Sequence, residues 1–243
     1  MYELYRLDGV DIPHDPKWRR IAISLSGGAD SALLAYLLSS MIPQDKKFEV
    51  HIISHIRMWK TRPWQSYDSK RVFDWLVDRF PKIKFKRHTN FIAPDVEYGN
   101  MGPGIKDEYG KWVSGDNAQQ RAFAEYVCTT EDIPAYYNAV TRNPKDVDFK
   151  GMPERDIDPT EDNMHLRVLT HMNRWAFHPF RFTQKDWIIK QYNALGIKDL
   201  LAITRSCEGE FEGIDYKTYK PGQVVPICGE CFWCKERSWA IEQ

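Results

Sequence analysis

A short glycine turn between two apolar segments has the residue types of a phosphate-binding site. Residues 26–31 read Ser-Gly-Gly-Ala-Asp-Ser, directly after the apolar run Ile21–Leu25 and before an apolar stretch that reaches Leu38. At the start of a helix, free backbone N–H groups and the helix dipole attract phosphate. Two glycines let the backbone approach such an anion closely. The pattern therefore predicts a strand, a phosphate loop and a buried helix.

The acidic residue of this turn indicates which kind of phosphate it would bind. Asp30 would repel a bare phosphate, but a Mg²⁺ ion between the two groups turns that repulsion into attraction. Ser26 and Ser31 can donate hydroxyl hydrogen bonds to the same anion. The alternative is an ordinary turn in which Asp30 only favours the helix N-terminus. Neither the Walker lysine pattern nor GxGxxG is present, which counts against two other nucleotide-binding loops.

Four cysteines in the last third of the chain have the spacing of a metal site. Cys228, Cys231 and Cys234 are each separated by two residues, and Cys207 can supply a fourth thiol from across a loop. Four thiolates at about 2.3 Å satisfy tetrahedral Zn²⁺ and leave no open position, so we expect a structural zinc site. The alternative is that these cysteines pack in the core as small hydrophobic side chains. With Cys128 the cysteines number five, which fits a reducing compartment better than a disulfide framework.

These two motifs carry a resemblance to a superfamily and to one family within it. Residues 26–31 resemble the Ser-Gly-Gly-x-Asp-Ser motif of the PP-loop ATP pyrophosphatases, which split ATP to AMP and pyrophosphate. Together with the cysteines, the loop is similar to that of the 7-cyano-7-deazaguanine synthase family of the queuosine pathway. The similarity covers about half of the chain, residues 20–60 and 175–240. Its further segments are 178–185, 195–197, 204–207, 228–229 and 235–237.

The resemblance implies an ATP-dependent C–N ligase. That family converts 7-carboxy-7-deazaguanine and ammonia to the nitrile through an amide, using ATP, Mg²⁺ and a structural Zn²⁺. Asp30, Ser31 and Lys185 would serve catalysis here, although Lys185 reads equally well as a solvated lysine in the first turn of a helix. The implied nucleotide site consists of Ser24, Leu25, Ser26, Gly27, Gly28, Asp30, Ser31 and His55.

Two departures from the family pattern bear on the substrate. Residues 113–117 stand where the family has Val-Pro-Gly-Arg-Asn, and Asp116 occupies the place of the arginine. If that arginine holds an anionic group, Arg121 or Arg142 must compensate, or the substrate differs. The family's Tyr-Pro-Asp-Cys-Arg segment has no equivalent, and residues 142–144 occupy roughly its place. The substrate, and whether the product is an amide or a nitrile, are thus less constrained than the activation chemistry.

The elements around these motifs predict an α/β fold. Apolar strand-like runs occur at 21–25, 48–56, 83–88 and 135–140, with helical patterns between them. Strands that alternate with helices imply right-handed crossovers and a mostly parallel sheet. We therefore predict a Rossmann-like sheet of the PP-loop type with helices on both faces and a small C-terminal zinc-binding segment. The expected division is 1–200 for the ATP-binding domain and 201–243 for the zinc segment.

Two helices are predicted with their caps and inward faces. Asn117 would cap the first of them, and Thr183 would cap the second, which would end at Gly196. The irregular segments 94–111 and 143–163 are read as long loops. The inward side chains would be Phe123, Tyr126 and Val127 in the first helix and Trp187, Ile188, Tyr192 and Leu195 in the second.

The charge and the hydrophobic pattern of the chain limit the kinds of partner that it can bind. The chain has 243 residues with 34 basic and 34 acidic side chains, so it has no global field to hold a polyanion such as a nucleic acid. No apolar stretch approaches the roughly 20 residues that span a bilayer, and residues 1–15 lack the pattern of a secretory signal. We expect a cytoplasmic protein that acts on a small deazapurine carboxylate and ammonia, away from membranes. A homodimer is left open.

Two other functions remain open at this point. PP-loop enzymes that thiolate tRNA usually need a sulfur-handling cysteine and a basic surface, whereas only Cys128 is spare here. A non-catalytic nucleotide-binding zinc module is disfavoured because Asp30 and both glycines are retained. His51 and His55 alternate along one strand and could join Asp30 at a metal ion, but a buried structural pair is the stronger interpretation.

Overall fold

The computed structural model describes residues 3–57, 64–92, 105–106, 112–113, 115–152, 166–169, 174–209, 218–220 and 222–243. The strands are β1 (Glu3–Leu7), β2 (Val10–His14), β3 (Arg20–Ser24), β4 (Glu49–Arg57), β5 (Lys84–Ile92), β6 (Ile105–Lys106), β7 (Trp112–Val113), β8 (Ala135–Tyr137), β9 (Leu166–Leu169) and β10 (Arg174–Phe177). The helices are α1 (Ala29–Met41), α2 (Gln65–Arg79), α3 (Gly115–Thr130), α4 (Lys185–Ala194), α5 (Lys198–Ile203) and α6 (Phe232–Glu242). Most of the two predicted long loops, 94–111 and 143–163, lies outside these residues.

A six-stranded sheet organises the fold in the order β5-β4-β3-β8-β10-β9. Neighbouring strands are parallel from β5 to β10, and only β9 pairs antiparallel at the edge. The strand order runs one way from β3 to β5 and the other way from β3 to β8 and β10. The predicted α/β class with a mostly parallel sheet is confirmed.

Alternation along the central strand separates two hydrophobic clusters, one on each face of the sheet. Ile21 and Ile23 of β3 point into the larger cluster, which α1, α2 and α4 cover. Ala22 points into the smaller cluster, which includes Ala124 and Val127 of α3. Because successive side chains of a strand face opposite ways, both faces of β3 must be apolar. Helices therefore lie on both faces, as predicted.

The amino-acid sequence explains why α1 is the central helix. Its residues are apolar nearly all round, and buried side chains include Leu33, Leu34, Leu37 and Leu38. A helix that is hydrophobic on all sides is stable only when it is enclosed. By contrast, α2 has an amphipathic pattern, and only one face is buried through residues such as Val72 and Leu76. The glycine turn at residues 26–28 is thereby joined to a helix that is enclosed on nearly all sides.

Several predictions about helix ends and faces were wrong. The helix at 115–130 begins at Gly115, so Asn117 lies inside it and is not its cap. Tyr126 is 62% exposed, because the inward positions of α3 are Ala124, Val127 and Cys128. The residue before α4 is Gln184, and Thr183 lies one position earlier. Gly196 does end that helix region, with φ at 67°.

Candidate active site

A cleft opens at the carboxyl ends of β3 and β8, the neighbouring strands from which the sheet order runs in opposite directions. In open parallel sheets this is where the loops diverge and leave a crevice for a ligand. The cleft has a volume of ≈ 220 Å³. Its walls come from the loop after β3, the first turn of α2, residues 138–141 after β8, the start of α4, and residues 205–208.

The loop after β3 is held in shape by its own two serines. The Oγ atoms of Ser26 and Ser31 lie 3.1 Å apart, and the N–H of Gly28 donates to Ser26 Oγ at 3.2 Å. Ser31 Oγ also donates to the carbonyl oxygen of Gly28 at 3.2 Å. These contacts place both hydroxyls at the N-terminus of α1, where phosphate is attracted. The loop is therefore fixed in shape by its own hydrogen bonds.

Gly27 cannot be replaced without moving the adjacent helix. Its φ is +85°, a conformation that favours glycine. A Cβ at this position would lie 2.7 Å from the backbone N of Ser69 and 2.9 Å from Cβ of Asp68. The glycine thus allows the loop to pack directly against the first turns of α2.

Lys185 connects the loop to two other helices through buried ion pairs. Lys185 is only 2% exposed, and its Nζ donates to Oδ2 of Asp30. The same Nζ lies 3.8 Å from Oε2 of Glu236, which belongs to α6. The other oxygen of Asp30, Oδ1, is buried and has no hydrogen-bond partner among the described residues. That oxygen is suited to a Mg²⁺ ion, because the ion prefers carboxylate and phosphate oxygens.

The first turn of α2 contributes cleft residues that sequence reasoning missed. Trp64, Gln65 and Asp68 line the cleft, and Oε1 of Gln65 is buried without a hydrogen-bond partner among the described residues. Burial raises the pKa of Asp68 to about 6, against the opposing attraction of Arg205 and Arg71. The position of these residues after the second strand was the available indication, since carboxyl ends of neighbouring parallel strands meet at one edge.

Arg205 supplies a second cation to the cleft beside Lys185. Its guanidinium lies 5.1 Å from the ring centre of Trp64 and donates to the carbonyl oxygens of Val225 and Pro226. Its Nε is 3.9 Å from Oδ2 of Asp68. The backbone N–H of Arg205 donates to the carbonyl oxygen of Gly27 at 2.9 Å. This contact joins the segment before the cysteines to the phosphate loop.

The four predicted metal ligands lie together. The sulfur atoms of Cys207, Cys228, Cys231 and Cys234 are all within 4.8 Å of one another. Cys228 Sγ lies 3.6 Å from that of Cys207 and 3.8 Å from that of Cys234. Tetrahedral zinc with bonds of about 2.3 Å places its sulfur ligands about 3.8 Å apart, so the donor set fits one Zn²⁺ ion. Cys207 also lines the cleft, which makes the cysteine cluster part of its wall.

The remaining predicted site residues lie in different places. Ser24, Ser26, Gly28, Asp30, Ser31 and Lys185 line the cleft. Leu25 is fully buried and its N–H donates to the carbonyl oxygen of Ile53 at 2.8 Å. His55 packs edge-on against Phe123 of α3, with ring centres 6.0 Å apart. Asp116 lies in α3, but its side chain is outside the described part of the chain.

The comparison with known proteins leaves the family open. No family model matches the chain, and no curated protein matches it. Among solved structures, the U34-tRNA thiolase NcsA from Methanococcus maripaludis with its [4Fe-4S] cluster is 14% identical at a TM-score of 0.46, over 94% of this chain and 66% of that one. Phosphoadenylyl-sulfate reductase from Candida auris, in a phosphate complex, is 10% identical at a TM-score of 0.40, over 81% of this chain and 84% of that one. A protein of the universal stress protein family from Burkholderia pseudomallei is 12% identical at a TM-score of 0.30, over 51% of this chain and 82% of that one.

At these identities and TM-scores, nothing about substrate or chemistry follows from the likeness. The chain spans slightly less than two thirds of the length of the thiolase. In the described ranges, none of the helices combines the length and the apolar character that crossing a membrane requires.

Proposed function

We propose that this protein is an ATP-dependent ligase that transfers AMP to a substrate carboxylate and releases pyrophosphate, so that ammonia can attack the activated acyl group. One observation carries the proposal: the Ser-Gly-Gly-Ala-Asp-Ser loop forms the floor of a cleft at the point of the sheet where the strand order reverses. Asp30 there has one buried carboxylate oxygen without a hydrogen-bond partner among the described residues.

The cleft residues support a departure of pyrophosphate rather than of a single phosphate. The N–H groups of Ser26 and Gly28 and the hydroxyls of Ser26 and Ser31 lie close together at one helix N-terminus, where pyrophosphate oxygens would replace the hydrogen bonds that these groups make to one another. Such donors stabilise the negative charge that develops on a leaving group. Mg²⁺, when bound at Asp30, would neutralise part of the same charge. Lys185 would then exchange its bond to Asp30 for the pyrophosphate oxygens.

The substrate we propose is 7-carboxy-7-deazaguanine, converted to 7-cyano-7-deazaguanine or its amide. A carboxylate oxygen leaves poorly until it belongs to an acyl phosphate, and AMP then departs readily. The cleft offers Gln65 and Asn138 as amide-bearing side chains for a purine-like edge, and Arg205 as a cation for a carboxylate. This assignment rests on the family resemblance and on these polar groups together.

A tRNA thiolase is less favoured by the placement of the spare cysteine. Cys128 is 1% exposed, in the hydrophobic cluster beneath α3, and is not among the residues that line the cleft. Burial raises the pKa of the Cys128 thiol to about 12, which leaves hardly any thiolate near neutral pH. The other four cysteines would be occupied by the zinc ion. Their mutual spacing suits one ion, whereas an iron–sulfur cluster places iron and sulfide atoms between its thiolates.

Mass spectrometry of the reaction products tests this proposal. The protein is incubated with 7-carboxy-7-deazaguanine, MgATP and an ammonium salt, and we expect the amide or nitrile of the deazapurine together with AMP. A parallel reaction without the ammonium salt should accumulate no amide or nitrile. An unchanged deazapurine in the complete reaction, with AMP formed from a different carboxylate substrate, would overturn the substrate assignment and retain the activation chemistry.

A further inference from the structure

Two histidines and a glutamate meet under α3, away from the proposed ATP cleft. His51 of β4 is 0% exposed, and its Nδ1 lies 3.0 Å from Nε2 of His88 on β5. Glu131, one residue beyond α3, brings a carboxylate oxygen into the same group, and the three ligand atoms lie within 4.8 Å of one another. None of the three is among the residues that line the cleft.

The sheet register places the two rings on one face. His88 stands beside Ile53 across the parallel pair of β4 and β5, and Ile53 packs into the cluster beneath α3. Because side chains alternate, His51 lies on the same face as Ile53, two residues earlier. The ring centres lie 5.2 Å apart with an interplanar angle of 8°, so the two rings are nearly parallel and a nitrogen of each faces the other. Two adjacent strands and the end of a helix therefore fix the positions of the ligand atoms.

A fourth residue orients the buried histidine. Nε2 of His51 lies 3.3 Å from Oε2 of Glu49. Lys86 Nζ lies 3.1 Å from the same oxygen, and Lys84 Nζ lies 2.6 Å from Oε1 of Glu49. A carboxylate that accepts the N–H of one ring nitrogen leaves the other nitrogen with its lone pair facing outward. This carboxylate–histidine arrangement is the usual support of a metal-binding imidazole. In His51 it directs Nδ1 toward His88.

The distances suit a divalent ion of the zinc class. Two imidazole nitrogens bound to one tetrahedral ion at 2.0–2.1 Å lie about 3.4 Å apart, close to the 3.0 Å observed here. Oε2 of Glu131 accepts a hydrogen bond from Lys86 Nζ at 2.7 Å. The second oxygen of the same carboxylate can bind an ion. A histidine pair that is only hydrogen-bonded requires an N–H between the rings. An ion at the same place requires a lone pair from each ring instead.

We propose that His51, His88 and Glu131 form a second metal site, which binds one divalent transition-metal ion such as Zn²⁺ independently of the cysteine cluster. The ion joins β4, β5 and the end of α3, with water completing its coordination. His51, His88 and Glu131 act as ligands, and Glu49 acts as the positioning residue of His51. This site does not depend on the proposed ligase activity.

Zinc titration of the metal-stripped full chain against a chromophoric chelator tests the proposal. We expect two equivalents per chain for the wild type and one equivalent for His88→Gln. The control is Asp132→Asn in the same turn, where the residue is exposed with φ at 50°, a conformation that asparagine accepts. This variant should keep two equivalents. Cobalt titration separates the sites, because the thiolate-to-cobalt absorption of the cysteine cluster should persist in His88→Gln.

Two outcomes would overturn the second site. A wild type that binds no ion, or one equivalent that gives the thiolate-to-cobalt absorption of the cysteine cluster, would show that the histidines only hydrogen-bond to each other. Two equivalents in His88→Gln would place the additional ion elsewhere. Glu131→Gln, at a partly exposed position, provides the same comparison if circular dichroism shows that His88→Gln loses its fold. We expect this variant to bind the second ion at least tenfold more weakly than the wild type does.

Discussion

Lys185 lies between carboxylates from two different helices, and its replacement should destabilise the protein strongly. Its side chain is 3% exposed, and it pairs with Asp30 of α1 and with Glu236 of α6, whose side chain is 0% exposed. Lys185→Met keeps an apolar stem of similar length and removes the charge. Removal of one partner of a buried ion pair costs about 3–5 kcal/mol, because it leaves an uncompensated charge. That is a large share of a typical free energy of unfolding of about 5–15 kcal/mol.

The interaction with Glu236 can be given a magnitude from the structure. At the 3.8 Å separation of Lys185 Nζ and Glu236 Oε2, an effective dielectric of ~20 gives an attraction of about 4 kcal/mol. The single variant Glu236→Gln should therefore also be destabilised. The double variant should lose less than the sum of the two single losses, because the second substitution removes the charge that the first left unpaired. We expect a coupling energy of about 2–3 kcal/mol.

Urea unfolding at neutral pH of the wild type, the two single variants and the double variant measures that coupling. Lys190→Met on the same helix is the matched control, because Lys190 is 56% exposed and pairs with Asp186 at 3.2 Å. An exposed pair of this kind contributes less than about 1 kcal/mol. A coupling energy below about 0.5 kcal/mol, the usual error of additivity, would refute the view that Lys185 and Glu236 form a buried ion pair.

Three further predictions concern the cleft and its surroundings. Burial raises the pKa of Asp68 to about 6, so the folded protein holds a proton that the unfolded chain releases near pH 4, and stability falls as the pH rises through that window. Asp68→Asn should raise the free energy of unfolding by about 3 kcal/mol at pH 7 and change it little near pH 3.5; equal effects at both pH values would contradict this reasoning. Cys231→Ser should abolish the thiolate-to-cobalt absorption and lower the thermal midpoint, and a wild type that never shows this absorption would exclude the four-sulfur site. If Asp116 lines the substrate pocket, Asp116→Arg should tighten calorimetrically measured binding of 7-carboxy-7-deazaguanine, because like charges within a few ångströms repel by several kcal/mol at a dielectric of ~20. Weaker binding would instead indicate that Arg121 or Arg142 pairs with Asp116. Unchanged affinity would show that Asp116 lies outside the pocket and that the alignment of residues 113–117 with the family's Val-Pro-Gly-Arg-Asn segment is wrong.

The central part of the fold was predictable because local pattern and tertiary environment agree there. The run at 21–25 is apolar on both faces, and β3 is indeed covered on both faces of the sheet. The strand, glycine turn and helix from residue 20 to residue 41 were predictable because they follow one another without a gap. Cys228, Cys231 and Cys234 came together as expected, since their spacing restricts the geometry, and Cys207 joins them from 21 residues earlier in the chain. Apart from Cys207, these features depend on residues close together in the sequence.

The features that were not predicted depend either on contacts between residues distant in sequence or on a turn dipeptide that the sequence analysis did not use. The hairpin of β1 and β2 turns at Asp8 and Gly9, both with positive φ, and this dipeptide is a known hairpin indication. The exposure of Tyr126 depends on how α3 rotates against the sheet, which a helical pattern with several apolar positions does not define. The partnership of His51 with His88 depends on the register of β4 and β5. The amino-acid pattern of either strand alone could not supply that register.

The most direct test of the account is the identity of the adenine nucleotide that the protein produces. Chromatography of reactions with MgATP, 7-carboxy-7-deazaguanine and an ammonium salt should show AMP and pyrophosphate in equal amounts. Asp30→Ala should reduce their formation by orders of magnitude, because it removes the carboxylate suited to bind Mg²⁺. Since it also removes one partner of buried Lys185, the variant is compared with the wild type at a temperature at which circular dichroism shows both to be folded. ADP and phosphate as the only nucleotide products, or near-normal turnover by Asp30→Ala, would contradict the assignment of the loop to pyrophosphate release.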